Sequence, residues 1–411
     1  MLRAIRRFAV LGCWLVLGFG CGNSETDAGG PGPASGSGGA GTGTGAAGAG
    51  TVTGAAGAGT TTGAGGTGTT TGAGGAGTTT GSGGSAGAGG TGGGRVGAGV
   101  GIFPASSPWY TDISQAPLDA KSKDVIDGLV AAGGWGNANR FQIDSSIEVL
   151  AADAGVARRS FTATGDFYTP DCDKIDVPVP PVGRLEGEAN YACAGDGDCH
   201  LIVVQGSRLY EMWRANLIGG TATGTFQGGC LAAWDLTKDY WTPTAPPNFA
   251  RGDQCTSADA AGYPIAALLF SADEVAAGEI KHAIRFILPN DRIDSTAYVH
   301  PATHATSHTT TAPTPVPYGA RLRLKASFNL TLLPSDGARV VARALQKYGM
   351  FLADGGNIAL TSQSDTYTQA KWAGLLDPHD LAVLKVTDFD MVDGGTRIPL
   401  TQDCTRTPLA Q

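Results

Sequence analysis

Strand-like alternation places several titratable side chains where they could do chemistry. Through Arg208 to Arg214, Leu209, Glu211 and Trp213 fall on one face and Arg208, Tyr210, Met212 and Arg214 on the other. Glu211 therefore sits among apolar side chains, where loss of hydration raises a carboxyl pKa toward the range a general acid needs. In Lys281 to Leu288, His282 shares a face with Ile284, Phe286 and Leu288. His282 and His304 are the expected partners of Glu211 in proton transfer or substrate orientation, with Asp235 or Asp259 as the second carboxylate used in glycosidic cleavage. Arg321, Arg323, Lys325 and Ser327 form a polar stripe opposite Leu322, Leu324, Ala326 and Phe328, which reads either as a solvated face or as a strip for anions and uronates. Trp213 adds a ring on which a sugar could stack. Each assignment has a plain alternative, because a lone Glu or His on an apolar strand face commonly hydrogen-bonds at a sheet margin.

Other motifs carry less. His300, His304 and His308 recur every four residues, but Pro301 and the surrounding Thr and Ser oppose the helix that would align them on a metal. Asp196 and Asp198 lie in an oxygen-rich loop that lacks the twelve-residue calcium pattern. Arg251-Gly252-Asp253 is too short to mean much, and no GxSxG, HExxH, P-loop or dinucleotide fingerprint occurs in the folded part. No metal and no cofactor is expected. Trp109, Trp135, Trp234, Trp241 and Trp372, with Tyr110, Tyr240 and Tyr367 nearby, supply sugar platforms or core packing.

The elements that would position these groups are mostly strands. His200 to Val204, Arg208 to Ala215, Gly229 to Thr237, Ile280 to Leu288, Tyr318 to Leu332, Met350 to Ala353 and Asn357 to Ser362 have strand texture, and Asp354 to Asn357 reads as a tight hairpin turn. Helices are expected at Lys123 to Ala132, Ser335 to Tyr348 and Pro378 to Val386. The pattern predicts a mainly β domain, a β-sandwich or partly open barrel with a few peripheral helices, spanning 96–411 as one unit. Six cysteines there, Cys172, Cys193, Cys199, Cys230, Cys255 and Cys404, suggest three disulfides among fifteen connectivities. Cys193 with Cys199 is a plausible local pair, and Cys404 must bring the end of the chain back to the body.

The net charge of -8 argues against nucleic acid as a partner, because its phosphates would repel the chain at long range. Between Gly29 and Gly94, 31 of 66 residues are Gly and none is charged, so this low-complexity stretch, within a tether over 21–95, cannot bury enough surface to order itself. Ahead of it, Arg3, Arg6 and Arg7 precede an apolar run from Phe8 to Phe19 and then Gly20 and Cys21. That run, about 18 Å as a helix, is too short for a bilayer core of roughly 30 Å. It resembles a bacterial lipoprotein signal over 1–20, although Leu17 stands one position early for that pattern. The resemblance implies lipidation at Cys21, membrane attachment through that lipid and, from Gly22, an outer-membrane location facing the exterior; plain secretion is the alternative.

Cys255 to Pro264, Glu279 to Phe286, Arg321 to Ser327 and Tyr348 to Gly356 resemble segments of a widespread group of secreted bacterial proteins without a settled activity. That resemblance implies an exported, self-contained domain and carries no catalytic residues. The function expected from the residues is binding and cleavage of polysaccharide, by a glycoside hydrolase or lyase. A non-catalytic adhesion or binding module of the cell envelope is the alternative.

Overall fold

A computed structural model describes residues 101–195, 197–242 and 249–409. The expected signal over 1–20, the expected tether over 21–95, Cys21 and Asp196 lie outside the described residues. Two open mixed sheets organise the domain. The larger has six strands in the order Ile143–Ile147, Leu360–Gln363, Ile284–Leu288, Met350–Gly355, Arg321–Leu324 and Phe389–Val392. The second orders Cys230–Asp235, Arg208–Trp213, Leu201–Gln205 and Val149–Ala151. The fold is thus mainly β, with open sheets and no closed barrel among the described residues.

Continuous apolar runs such as Leu201-Ile202-Val203-Val204 fit a sheet covered on both faces. Ile202, Val204, Leu209, Ala232 and Trp234 join Ile284, Phe286, Leu322 and Leu352 of the larger sheet in the main core. Leu201, Val203, Tyr210, Met212, Leu231 and Ala233 face a smaller core with Val177, Leu185 and Phe226. The helix Asp336–Lys347 is capped by the Ser335 hydroxyl, which accepts from the Ala338 amide at 3.1 Å, and it buries Val340, Val341, Ala344 and Leu345. The helix Ser122–Ala131 also matches the periodicity.

Three expectations are corrected. Pro378 to Val386 is not an α-helix: successive amides of Asp380, Ala382 and Leu384 bond three residues back, and a 3-10 turn follows at Val386–Asp388. Tyr318 to Leu332 is not one strand, because Gly319 turns the chain at φ 85° in the left-handed region, where a Cβ would lie 1.9 Å from the Val299 carbonyl. Asp354 to Asn357 is not a hairpin turn, since Ile284–Leu288 lies between the two strands it would join. A short helix, Ala272–Ala277, was not expected; Ser271 and Glu274 form its capping box.

All six cysteines are paired, as Cys172–Cys230, Cys193–Cys199 and Cys255–Cys404. These bridges suit an oxidising, extracytoplasmic compartment. No helix among the described residues is long and apolar enough to cross a membrane.

Candidate functional site

The densest titratable cluster is centred on Arg285, a charged residue inside the otherwise apolar strand Ile284–Leu288. Arg285 Nη2 donates to Asp259 Oδ1 at 2.8 Å and to Asp354 Oδ2 at 3.0 Å, while its Nε lies 3.3 Å from both Asp259 oxygens. A break in register brings Asp354 to this guanidinium. Phe286 pairs with Leu352 but Ile287 pairs with Asp354, so Ala353 is an extra residue. The bulge turns Asp354 onto the face that Ile287 shares with Arg285, whereas an unbroken register would send it to the other side.

Glu186 and His200 form a second pair in the same electrostatic environment. His200 Nδ1 lies 2.5 Å from Glu186 Oε2, and the Glu186 amide donates to the His200 carbonyl at 3.1 Å. The other ring nitrogen faces the Ala258 carbonyl at 3.0 Å. With an acceptor at each nitrogen, the ring is held as an imidazolium. Burial alone would lower the His200 pKa, but Glu186 overrides it and raises it to about 10. Conversely, burial would raise Glu186, and His200 holds it below the usual range. Burial pushes Asp259 and Asp354 up, Asp354 to about 7 against the opposing pull of Arg285. Asp144 is raised mainly by burial, with Glu186 adding to the effect.

The cluster is mostly enclosed. Asp354 and Glu186 keep 25% and 17% of their side-chain surface exposed, while Asp259, Arg285 and His200 keep 5% or less. The loop closed by Cys193–Cys199 adds the exposed Asp198, whose charge acts on Asp354 and His200. Asp198 Oδ1 accepts from Trp213 Nε1 at 2.8 Å, which fixes that half-buried ring beside the loop.

Of the residues singled out from sequence, Asp259 and Trp213 belong to this neighbourhood. Glu211 is on the expected apolar face but has no exposed surface. It accepts from Ala266 N at 2.8 Å and from Trp234 Nε1 at 3.0 Å, and burial raises its pKa to about 7. Its role here is to pin the 265–266 segment to the four-stranded sheet. His282 precedes the strand instead of alternating within it; its Nδ1 lies 2.7 Å from the Ala283 carbonyl and its Nε2 3.3 Å from Glu274 of the capping box. His304 Nδ1 donates to the Ala260 carbonyl at 3.0 Å, and burial lowers its pKa. Asp235 is exposed and caps its own turn through the Thr237 amide and hydroxyl.

The basic stripe is occupied by main-chain carbonyls. Arg321 is buried and donates to those of Tyr348, Pro108 and Thr111, with its pKa lowered to about 9 by burial. Arg323 donates to Ile113 and Ala116, and Lys325 to Thr387. The expected solvated or uronate-binding strip is therefore corrected to a set of cross-braces. The three loop histidines also separate: His300 meets Asp253 at 2.9 Å and stacks on Phe249, while His308 faces the Ile293 carbonyl at 3.2 Å. Arg251 and Asp253 are buried, which removes the short RGD match from the surface.

Glu186, His200, Arg285 and Asp354 were missed by sequence reasoning. The one usable signal was Arg285, a cation interrupting an apolar strand. Compared with known proteins, the chain matches no family model, no curated protein and no solved structure.

Proposed function

We propose that this chain is a surface-tethered extracytoplasmic lipoprotein whose domain binds polysaccharide at the partly exposed side of the Arg285 cluster. The observation that carries the reading is the partly exposed pair Asp354 and Glu186, with Asp198, whose charge acts on Asp354 and His200, holding the Trp213 ring. Carboxylates accept from sugar hydroxyls, and an indole ring packs on the apolar face of a pyranose. The three disulfides support export. The Cys21 series and the uncharged Gly-rich tether support anchoring at the outer membrane with the domain held outward. On this reading the mature protein begins at lipidated Cys21, and mass spectrometry returning an unmodified terminus elsewhere would reject it.

Retention of the protein on a panel of immobilised polysaccharides tests the binding. Wild type should be retained by at least one polymer and Trp213→Ala weakened about tenfold, the order of one lost stacking contact. Failure of wild type to bind any polymer would reject the reading.

A non-catalytic adhesion module is the second reading. It is favoured by the enclosure of Glu211, which removes the carboxyl expected as the acid from reach of any substrate.

A further inference from the structure

We propose that a cavity between the 372–380 loop and the start of the helix Asp336–Lys347 binds a small primary amine, its ammonium on Asp377 and Asp380 and its carbon stem against Trp372. The site shares no residue with the Arg285 cluster and does not rest on the polysaccharide reading. The cavity has a volume of about 390 Å³, and its lining includes Ser335, Trp372, Leu375, Leu376, Asp377 and Asp380. Sites for small organic ligands span roughly 300 to 1,000 Å³, so the volume suits a small molecule.

The walls are held by the rest of the domain. Trp372 donates its indole Nε1 to the Gln363 carbonyl at 3.0 Å and its main-chain amide to Asp365 at 2.8 Å, and its ring meets Phe270 edge to face at 5.7 Å. With the indole N–H engaged, the ring offers the cavity an apolar surface that attracts cations. The Leu375 carbonyl packs so closely on the helix that a Cβ at Gly337 would lie 2.2 Å from it, and the Pro378 carbonyl accepts from the Ile143 amide at 3.0 Å. Both sides of the loop are thus tied down by the protein alone.

The two carboxylates are each only half used. Asp380 Oδ2 accepts from the Ser335 hydroxyl at 2.5 Å and the Asp377 amide at 3.2 Å, and Asp377 Oδ1 accepts from the His379 amide at 2.9 Å. Asp380 Oδ1 and Asp377 Oδ2 accept from no group among the described residues. The neighbouring cations are engaged: Lys371 donates to the carbonyls of Asp365, Thr366 and Thr368, and Arg339 pairs with Asp336 at 2.7 Å. His379 stands 3.4 Å from Asp377 Oδ1 and leaves Oδ2 open. The positive end of the helix also borders the cavity, but the Ser335 hydroxyl covers the Ala338 amide and itself donates to Asp380. Two open carboxylate oxygens beside an indole ring suit a cation that donates hydrogen bonds. A primary ammonium carries three donors and a quaternary ammonium none, while an anion would meet two like charges.

Ligand-detected NMR with titration calorimetry tests the site on the full chain, using n-butylamine, choline, n-butanol and butyrate as probes. Wild type should bind butylamine about tenfold more tightly than choline or butanol and should not bind butyrate. Trp372→Leu, Asp377→Asn and Asp380→Asn should each weaken butylamine about threefold to tenfold, and added salt should weaken it in wild type. Butanol or choline binding as tightly as butylamine would overturn the assignment, as would binding of butyrate or no binding of butylamine. Butylamine binding that all three variants leave unchanged would place the amine elsewhere and overturn it equally. Asp380→Asn alters the cap of the helix; if its thermal melt shows that it fails to fold, Asp377→Asn decides, because that exposed side chain braces only its own turn.

Discussion

The carboxylate of Asp173 and the guanidinium of Arg285 are both buried, but their surroundings are balanced in opposite ways. Asp173 is fully enclosed and accepts from Arg251 at 2.9 Å, Arg406 at 2.6 Å and the amides of Ala233 and Leu409 at 3.0 and 2.8 Å. Two cations serve that carboxylate, and the disulfides Cys172–Cys230 and Cys255–Cys404 adjoin its elements. Burial would raise Asp173, yet the two arginines hold it below the usual carboxylate range. Around Arg285, carboxyl groups outnumber cations and two of them are partly exposed. A sealed network in which two cations hold one carboxylate ionised acts as a lock between the tail and the body. A partly exposed network in which carboxyls outnumber cations lets burial raise Asp354 to about 7.

The largest expected effect breaks the lock. Asp173→Asn leaves Arg251 and Arg406 buried without their counter-charge, and should cost about 3 to 5 kcal/mol in chemical denaturation. A loss below about 1 kcal/mol would show that the two networks are not distinguished by balance. Next comes the paired replacement Cys255→Ser with Cys404→Ser, which frees the tail and should cost about 2 to 5 kcal/mol. In the same preparation of wild type, titration of denatured, unreduced protein should find no thiol from the six domain cysteines.

The pH dependence separates sealed from open carboxyls. Glu211 has a folded pKa of about 7 against an ordinary 4.5, so the folded state holds its proton more tightly than the unfolded chain. Its contribution to stability is full below 4.5 and is lost as pH rises through 7. Glu211→Gln should therefore flatten the stability profile across that interval, measured by thermal melts at a series of pH values. An unchanged slope would remove Glu211 as its source. Asp354→Asn, by contrast, should alter stability by no more than about 1 kcal/mol because that carboxyl is already incompletely paired and partly hydrated. The smallest effect is expected from Lys325→Ala, since its ammonium serves the Thr387 carbonyl and not a ligand. Its retention on polysaccharide should equal that of wild type.

Much of the architecture was legible because it depends on local periodicity. The alternation of Arg208–Trp213, the apolar run of Leu201–Gln205 and the Ser335 cap before a helix with one apolar face each declare themselves within a dozen residues. The pairing of six cysteines followed from their number and compartment. Glu211 was correctly placed on an apolar face, but a face pattern does not tell whether that face opens to solvent or meets another layer. The segment around Ala266 closes over it, and Trp234 of the neighbouring strand takes its other oxygen.

What the sequence alone determined is the arithmetic of the chain: a charge-free Gly-rich stretch from Gly29 to Gly94, a β-rich domain, and enough cysteines to staple it. Those properties sum over residues or repeat along short segments. The Arg285 cluster was decided only in three dimensions. Asp259, Arg285 and Asp354 are separated by 26 and 69 positions from donor to acceptor, and they meet because strands distant in sequence pair side by side. One extra residue at Ala353 then chooses the side on which Asp354 emerges. No propensity or spacing encodes that choice, because it arises from the register between two strands and the burial that both strands share.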